Sequence, residues 1–281
     1  LALLTDSGGE HEAANMPICR IIIAFWAALS VLAGPAAAEI IVSPLRQVIT
    51  RQAPLAVYEI ANVSDRIIEG RIGWTDLSAV PTGYEPASPE VRAGLSAAPY
   101  LVVSPARFRL EPGKRIKVSV RLKKGAAIPV GERRSHLLIE TTPVRTPLRR
   151  AGGGLEVDVG LGVSTPVILR GGFAAPTVTF AQTKLVRDSD GLLELQTSLA
   201  RSGKYSAIGR LVAVMESNGE RKTIAEIDNV ALHVDAPARL LTLALGETAL
   251  PPGTLELRFV GSAEYEGRLF AEKSFEISPP Q

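Results

Sequence analysis

The chain has 281 residues, a formal net charge of +2 at pH 7, and 46% hydrophobic residues of which few are aromatic. So mild a charge does not indicate a nucleic-acid-binding protein, and the scarcity of aromatic side chains leaves little for stacking on bases or sugars. The single cysteine excludes an intramolecular disulfide. Core burial must therefore supply the stability of the fold.

The first 38 residues predict an export signal. After the basic Arg20, residues 21–33 are almost entirely apolar, and a small-x-small cleavage pattern follows them. This apolar run is short for a membrane span, which needs about 20 residues. We therefore expect residues 16–38 to be a signal peptide and the protein to be exported. Residues 1–15 precede the signal and are expected to be a start-site artefact.

Short strand-like runs separated by Pro and Gly recur along the rest of the chain. They lie at 40–49, 55–62, 67–74, 99–103, 115–122, 135–142, 155–169, 177–187, 192–200, 205–216, 221–227, 238–245, 254–261 and 268–277. Because no sustained helical period accompanies them, the pattern predicts an all-β protein with two tandem sandwich domains, residues 39–170 and 171–281. The Pro- and Ser-rich segment 81–98 is predicted to be a long surface loop or a partly ordered excursion between strands.

The most regular of these runs follows the glycine-rich tract 151–154. Its apolar residues alternate with acidic residues and glycines, which predicts a strand with one apolar face. The apolar row consists of Leu155, Val157, Val159, Leu161 and Val163. Such a row normally packs into its own domain, but after a glycine-rich loop it can instead be offered to a guest protein.

Groupings typical of catalysis or metal binding are scarce. After the signal only His136 and His233 remain as histidines and no cysteine remains, so we expect neither a metal site nor a cofactor. Ser135 and His136 are adjacent on a predicted strand and point to opposite faces, which does not suit a nucleophile and its base. We expect His136 to be solvated or satisfied by a hydrogen bond, a pocket histidine being the alternative. No enzymatic activity and no nucleotide are expected.

Four segments, in the order in which they occur, resemble the PapD-like periplasmic pilus chaperones. They are Ser43–Ile49, Val103–Gly113 with its continuation to Arg121, Pro129–Leu138, and the alternating strand that ends in Thr165–Arg170. The changes from the family pattern place the chain in a divergent, non-classical branch. The resemblance implies two immunoglobulin-like domains in an L or boomerang arrangement, and a binding protein without an enzymatic step.

The resemblance also implies donor-strand complementation, in which the chaperone lends a strand to the open groove of a pilus or fimbrial subunit. Residues 155–169 would be the donor strand, and the apolar row from Leu155 to Val163 would fill the groove. Arg46 corresponds to the arginine that receives the C-terminal carboxylate of the subunit. The implied partners are pilus subunits, an outer-membrane usher and, in the free protein, a second copy bound through the donor strand; nucleic acid and nucleotide are not among them.

Two departures from the family pattern concern the cleft. Pro166 stands where a lysine usually helps to hold the carboxylate, so we expect a second anchor from Ser164, Thr165 or Arg170. Arg134 stands where an acidic residue usually faces Arg170. The ion pair that usually locks the two domains is therefore not expected in its usual form.

The sequence leaves three functions open. The first is a chaperone that binds and stabilises secreted subunits and delivers them for assembly. The second is a structural or adhesive protein of the periplasm or cell surface, in which the row within 155–163 simply packs inward, since a fold alone does not determine function. The third and most distant is a hydrolase that uses Ser135 or paired carboxylates.

Overall fold

The computed structural model describes residues 39–144 and 160–278. The predicted signal peptide, residues 16–38, the residues 1–15 before it, and three members of the apolar row, Leu155, Val157 and Val159, lie outside these ranges. Within them, no helix has both the length and the hydropathy that a bilayer crossing requires.

The first half of the described chain folds into a β-sandwich. Its strands are β1 (Ile40–Ser43), β2 (Gln47–Ile49), β3 (Leu55–Asn62), β4 (Ile68–Thr75), β5 (Leu77–Val80), β6 (Gly83–Pro86), β7 (Leu101–Ser104), β8 (Arg107–Leu110), β9 (Arg115–Leu122), β10 (Gly131–Pro143) and β11 (Leu161–Gly171). One sheet has the order β1-β3-β9-β7 and the other β2-β11-β10-β4-β8, while β5 and β6 form a separate hairpin. This is the strand order of an immunoglobulin-like domain.

Alternation along the strands produces the first core. On β3 the side chains of Tyr58 and Ile60 are fully buried, whereas Leu55 and Val57 on the opposite face are exposed. Aliphatic side chains from β4, β9, β10 and β11 meet them between the two sheets. Successive side chains of a strand point to opposite faces, so the residues that alternate with the core face away from it. On β10 and β11 those outward residues form the candidate site.

The second half folds into another sandwich. Its strands are β12 (Thr177–Arg187), β13 (Leu193–Ser202), β14 (Ala207–Ser217), β15 (Glu220–Leu232), β16 (Ala238–Ala244), β17 (Gly253–Gly261) and β18 (Leu269–Ile277). The sheets have the orders β12-β13-β16 and β15-β14-β17-β18, and they enclose a separate core that includes Leu199, Leu211 and Phe259. The prediction of an all-β protein with two immunoglobulin-like sandwiches is confirmed.

The two sandwiches are joined directly after β11. Gly172 has a φ of 86°, a conformation that favours glycine. A Cβ atom at this position would lie only 2.7 Å from the hydroxyl oxygen of Tyr205 in the second sandwich. That hydroxyl donates to the carbonyl of Gly171 at 2.8 Å. The link is therefore short and packed.

The segment 81–98, predicted as a surface loop or a partly ordered excursion between strands, is mostly ordered structure. It completes the β5–β6 hairpin and contains helix α1 (Pro89–Leu95) and a 3₁₀ turn (Ala98–Tyr100). Ser88 caps α1 through its side chain, and proline occupies the first turn, where its missing N–H costs nothing. The turn of the hairpin reaches the second sandwich, because the N–H of Leu240 donates to the carbonyl of Pro81 at 2.8 Å.

Candidate binding cleft

The outward face of β10 and β11 carries polar side chains where it meets the second sandwich. The antiparallel register pairs Glu132 with Arg170, Arg134 with Ile168 and His136 with Pro166. Paired residues of neighbouring strands project from the same face of a sheet. This row of side chains forms one wall of the cleft between the two sandwiches.

Arg170 is buried and has two carboxylate partners. Its Nε and Nη2 atoms donate to Glu132 at 3.2 and 2.9 Å, and Nη1 donates to Glu264 of the second sandwich at 2.5 Å. Glu132 also accepts from the backbone N–H of Ser206 at 3.0 Å and from the Ser206 hydroxyl. Burial alone would lower the pKa of Arg170, but Glu132 and Glu264 more than offset it and raise it. An ion pair between the sandwiches is therefore present, with a partner that the sequence did not reveal.

Arg134 makes a second bridge. Its side chain is fully buried, and its Nη1 and Nη2 atoms donate to the two oxygens of Asp235 at 2.9 and 2.8 Å. Nη2 also donates to the carbonyl of Leu77 in the β5–β6 hairpin at 2.9 Å. Asp235 accepts from the N–H of Ala79 in the same hairpin at 2.7 Å. Arg134 thus holds the hairpin and the second sandwich together.

Arg46 lies in the same cleft but is paired differently. It precedes β2, where the chain crosses from one sheet of the first sandwich to the other. Its Nη2 atom donates to the carbonyl of Asn229 at 3.3 Å, and its Nε atom is buried without a hydrogen-bond partner. Burial lowers the pKa of the guanidinium. No carboxylate of the described residues lies within salt-bridge distance of it.

Two histidines and a tyrosine fill the cleft beside these arginines. Tyr84 from β6 packs edge-on against His136, with 5.0 Å between the ring centroids, and its hydroxyl shares a hydrogen bond of 2.7 Å with Nε2 of His233. Nδ1 of His233 lies 3.3 Å from the hydroxyl of Ser206. The chain of contacts from Tyr84 through His233 and Ser206 to Glu132 passes from the first sandwich to the second and back.

The other predicted anchors occupy different surroundings. Thr165 faces the core side of β11, is buried, and donates its hydroxyl hydrogen to the carbonyl of Leu45 at 2.6 Å. Ser164 is exposed on the cleft side, opposite Leu138. Arg170 is engaged by its two carboxylates. Of the residues named from sequence as anchors, Arg46 is the one whose guanidinium has an unpaired buried nitrogen.

The described part of the apolar row begins at Leu161. Leu161 and Val163 are half-buried and pack against the core of the first sandwich, on the same face of β11 as the buried Val167 and Leu169. The first pairing of β11 with β10 joins Leu161 to Thr141. These two side chains therefore belong at least in part to their own domain.

Ser135 is not poised as a nucleophile. Its side chain is fully buried, and its oxygen accepts from the backbone N–H groups of Ala97 and Ala98, both at 2.9 Å. Its hydroxyl donates to Asp76 at 2.5 Å. His136 points to the opposite face of β10, as predicted. The serine ties β10 to the segment that follows α1.

No protein-family model matches the chain, and no curated protein matches it. Solved structures with a similar fold include the YadV chaperone, which is 11% identical over 85% of this chain and 100% of that one, with a TM-score of 0.45. The CupB2 chaperone of Pseudomonas aeruginosa is 13% identical over 84% and 98%, with a TM-score of 0.43. The complex of SafA pilin with the SafB chaperone of Salmonella enterica contains a chain 14% identical over 87% and 99%, with a TM-score of 0.44.

Proposed function

We propose that the protein is a periplasmic chaperone of exported pilus or fimbrial subunits, which it holds by donor-strand complementation and delivers to an outer-membrane usher. The observation that carries the proposal is the unequal pairing of the three cleft arginines. Arg134 and Arg170 are bound by carboxylates, whereas Arg46 meets only a backbone carbonyl. A half-buried guanidinium whose Nε is buried with a donor to spare suits an incoming carboxylate, because the two groups form paired hydrogen bonds.

The apolar row supplies the second half of the proposed site. Residues 155–159 continue the alternation that Leu161 and Val163 show, and in this proposal their aliphatic side chains enter the groove of the subunit. Each fully buried aliphatic side chain contributes about 1.5–3 kcal/mol before the cost of ordering. Main-chain pairing along the lent strand adds specificity of register, because a slip by one residue would turn the row away from the groove.

Replacing the cleft arginine tests the proposal. We expect Arg46→Ala to abolish accumulation of a co-expressed subunit, encoded beside this protein, in periplasmic extracts. The fold should survive because Arg46 has a single long hydrogen bond to lose. Arg115→Ala is the matched control, since this arginine forms an exposed pair with Glu59 on the other sheet. An unchanged subunit yield for Arg46→Ala, with a wild-type thermal midpoint, would remove Arg46 from the site.

One observation favours the alternative of a structural or adhesive sandwich protein. Leu161 and Val163 already pack against the core of their own domain, as the whole row would in a protein that lends no strand. The two functions assign different roles to residues 155–159, and substitutions in that segment distinguish the two functions.

A further inference from the structure

Arg46 and His136 flank Pro166 in one row across the sheet. His136 on β10 is the direct partner of Pro166 on β11. On the other side, β2 pairs with β11 in parallel with Gln47 beside Val167, so Arg46, one residue earlier, comes beside Pro166. The proline ring is short and carries no donor. The row therefore places two nitrogen-rich side chains on either side of a residue that offers no hydrogen bond to a ligand.

The imidazole of His136 is buried in the cleft. It is 2% exposed, and neither Nδ1 nor Nε2 has a hydrogen-bond partner among the described residues. An imidazole always has a donor on at least one nitrogen, and leaving it unmade in a buried place is costly. The sequence-based expectation of a solvated or satisfied histidine is therefore wrong for the described structure. A ligand that forms a hydrogen bond with the imidazole would account for this buried side chain without a partner.

Three neighbouring buried side chains that could take this role already have partners. The hydroxyl of Thr165 donates to Leu45, Arg170 is held by Glu132 and Glu264, and Arg134 by Asp235. Removing any of them from its partner would leave a buried carboxylate or carbonyl unsatisfied. Arg46 and His136 can bind an incoming group without breaking an ion pair.

We propose that His136 is the second anchor for the C-terminal carboxylate of the client, acting with Arg46 from the other side of Pro166. The proposal rests on the proposed function. One carboxylate oxygen is bound by the guanidinium and the other by an imidazole N–H, which satisfies both of the unpaired buried groups. Tyr84 lies edge-on against His136 and is 43% exposed; the proposal requires its ring to turn aside and give up the hydrogen bond to His233.

This anchor makes binding dependent on pH. The pKa of His136 is lowered to about 4 by burial and by the charge of Arg134, with Asp235 opposing them. A carboxylate beside the ring favours the imidazolium and raises that pKa. Binding then takes up a proton, so the affinity rises as the pH falls from the pKa of the bound state toward about 4. Below this the carboxylate itself becomes protonated.

Other groups around the ring set the size of this effect. Tyr84 faces it from β6, and His233, which follows β15, adds a second ring whose pKa burial lowers far below its usual value. Arg46 and Arg134 both oppose a positive charge on His233. At His136, a bound carboxylate offsets the repulsion between the imidazolium and Arg134. The variants must therefore distinguish the two rings.

The test follows the two imidazoles by NMR in the purified protein. The probe is N-acetylalanine, a free carboxylate, and N-acetylalaninamide is the neutral control. His136→Gln assigns the resonance, and the thermal midpoint reports whether each variant is folded. We expect the carboxylate to raise the pKa of His136 by at least about one unit, the amide to leave it unchanged, and Arg46→Gln to abolish the shift. Absence of a carboxylate-dependent shift at His136 overturns the proposal.

A second pair of variants tests the position. His136→Ala should weaken N-acetylalanine binding roughly tenfold and remove its pH dependence. Adding Pro166→Lys to that variant places an ammonium in the same row, and we expect it to restore the affinity without the pH dependence. A folded double variant that does not regain affinity contradicts the placement of the carboxylate between Arg46 and His136.

The outcomes for the anchor and for the chaperone are separable. If Arg46→Ala abolishes subunit capture while His136→Gln captures as well as the wild type at both pH 5 and pH 7, the chaperone function stands and the second anchor fails. If Arg46→Ala leaves capture intact, the proposed function fails whatever the imidazole spectra show.

Discussion

Arg134 is the largest side chain that is fully buried in the described part of the chain. A guanidinium removed from water carries a desolvation cost that its partners must offset. Asp235 supplies two hydrogen bonds to it and the carbonyl of Leu77 a third. Burial of Arg134 is therefore tolerated only while Asp235 is present. The intact pair adds little net stability to the fold, but loss of one partner is strongly destabilising.

Removing Asp235 tests this dependence. We expect Asp235→Ala to lower the free energy of unfolding by about 3–5 kcal/mol, because it leaves Arg134 buried and uncompensated. Glu140→Ala breaks an exposed pair with Arg71 and should cost no more than about 1 kcal/mol. Urea unfolding of the two variants gives both values. Adding Arg134→Leu to Asp235→Ala should recover part of the loss; a further decrease would mean that the burial of charge is not its cause.

Strand β11 contributes side chains both to the core of the first sandwich and to the cleft. Val167 and Leu169 point into the first core, while Ile168 and Arg170 on the other face are buried toward the second sandwich. Toward its start the strand is less buried, and Leu161 and Val163 are only partly covered. The side chains of the core-facing row are therefore less buried toward the N-terminal end of β11, which residues 155–159 precede in the sequence.

Glutamate substitutions along this row distinguish a donor strand from an ordinary core strand. Val167→Glu places a carboxylate at a fully buried position and should unfold the first sandwich. If residues 155–159 are lent to a client, Val159→Glu should leave the thermal midpoint within a few degrees of wild type and abolish subunit capture. The measurement combines thermal unfolding with subunit yield. A Val159→Glu protein as unstable as Val167→Glu would return the whole row to the core and support the structural alternative.

The β5–β6 hairpin and α1 show where sequence patterns failed. The segment is too short for a helical period to be recognised, and its few apolar residues form no pattern from which a helix or strand could be predicted. A start signal for the helix was nevertheless present in Ser88, Pro89 and Glu90, a capping serine followed by proline and an acidic residue. The contact of Tyr84 with His136 and His233 had no local signal, because the tyrosine meets rings that are distant in the chain.

For the whole molecule, the bridges between the sandwiches decide whether they unfold together. Glu132 is fully buried and binds Arg170 in its own sandwich and Ser206 in the other. We expect a single calorimetric transition for the wild type and two for Glu132→Gln, because the amide cannot neutralise Arg170 or accept as many hydrogen bonds.

Glu69→Gln is the control for this experiment, since Glu69 forms an exposed pair with Arg109. One transition at the wild-type temperature is expected for it. If Glu132→Gln also melts in one transition with an unchanged midpoint, the coupling between the sandwiches lies elsewhere, in the bridge through Arg134 or in the hairpin.

The architecture could be predicted from the sequence more fully than the cleft. Alternation and turn residues predicted an all-β protein with two sandwiches, because strand periodicity is a local property. The partners of Arg134 and Arg170 could not be predicted, since Asp235 and Glu264 lie in the other sandwich and close approach depends on how the sheets meet. Arg46 was identified as a cleft residue from a resemblance, whereas the placement of Arg46 and His136 on either side of Pro166 required the strand register.

The contacts from Tyr84 to Glu132 impose a single direction on the hydrogens between them. Glu132, paired with Arg170, can only accept, so Ser206 gives its hydroxyl hydrogen to that carboxylate and its oxygen accepts from His233. His233 therefore carries its hydrogen on Nδ1, and its Nε2 lone pair accepts the phenol hydrogen of Tyr84. The ring is locked into one tautomer by residues of both sandwiches. Its ¹⁵N shifts would thus report, from a single residue, whether the joint between them is closed.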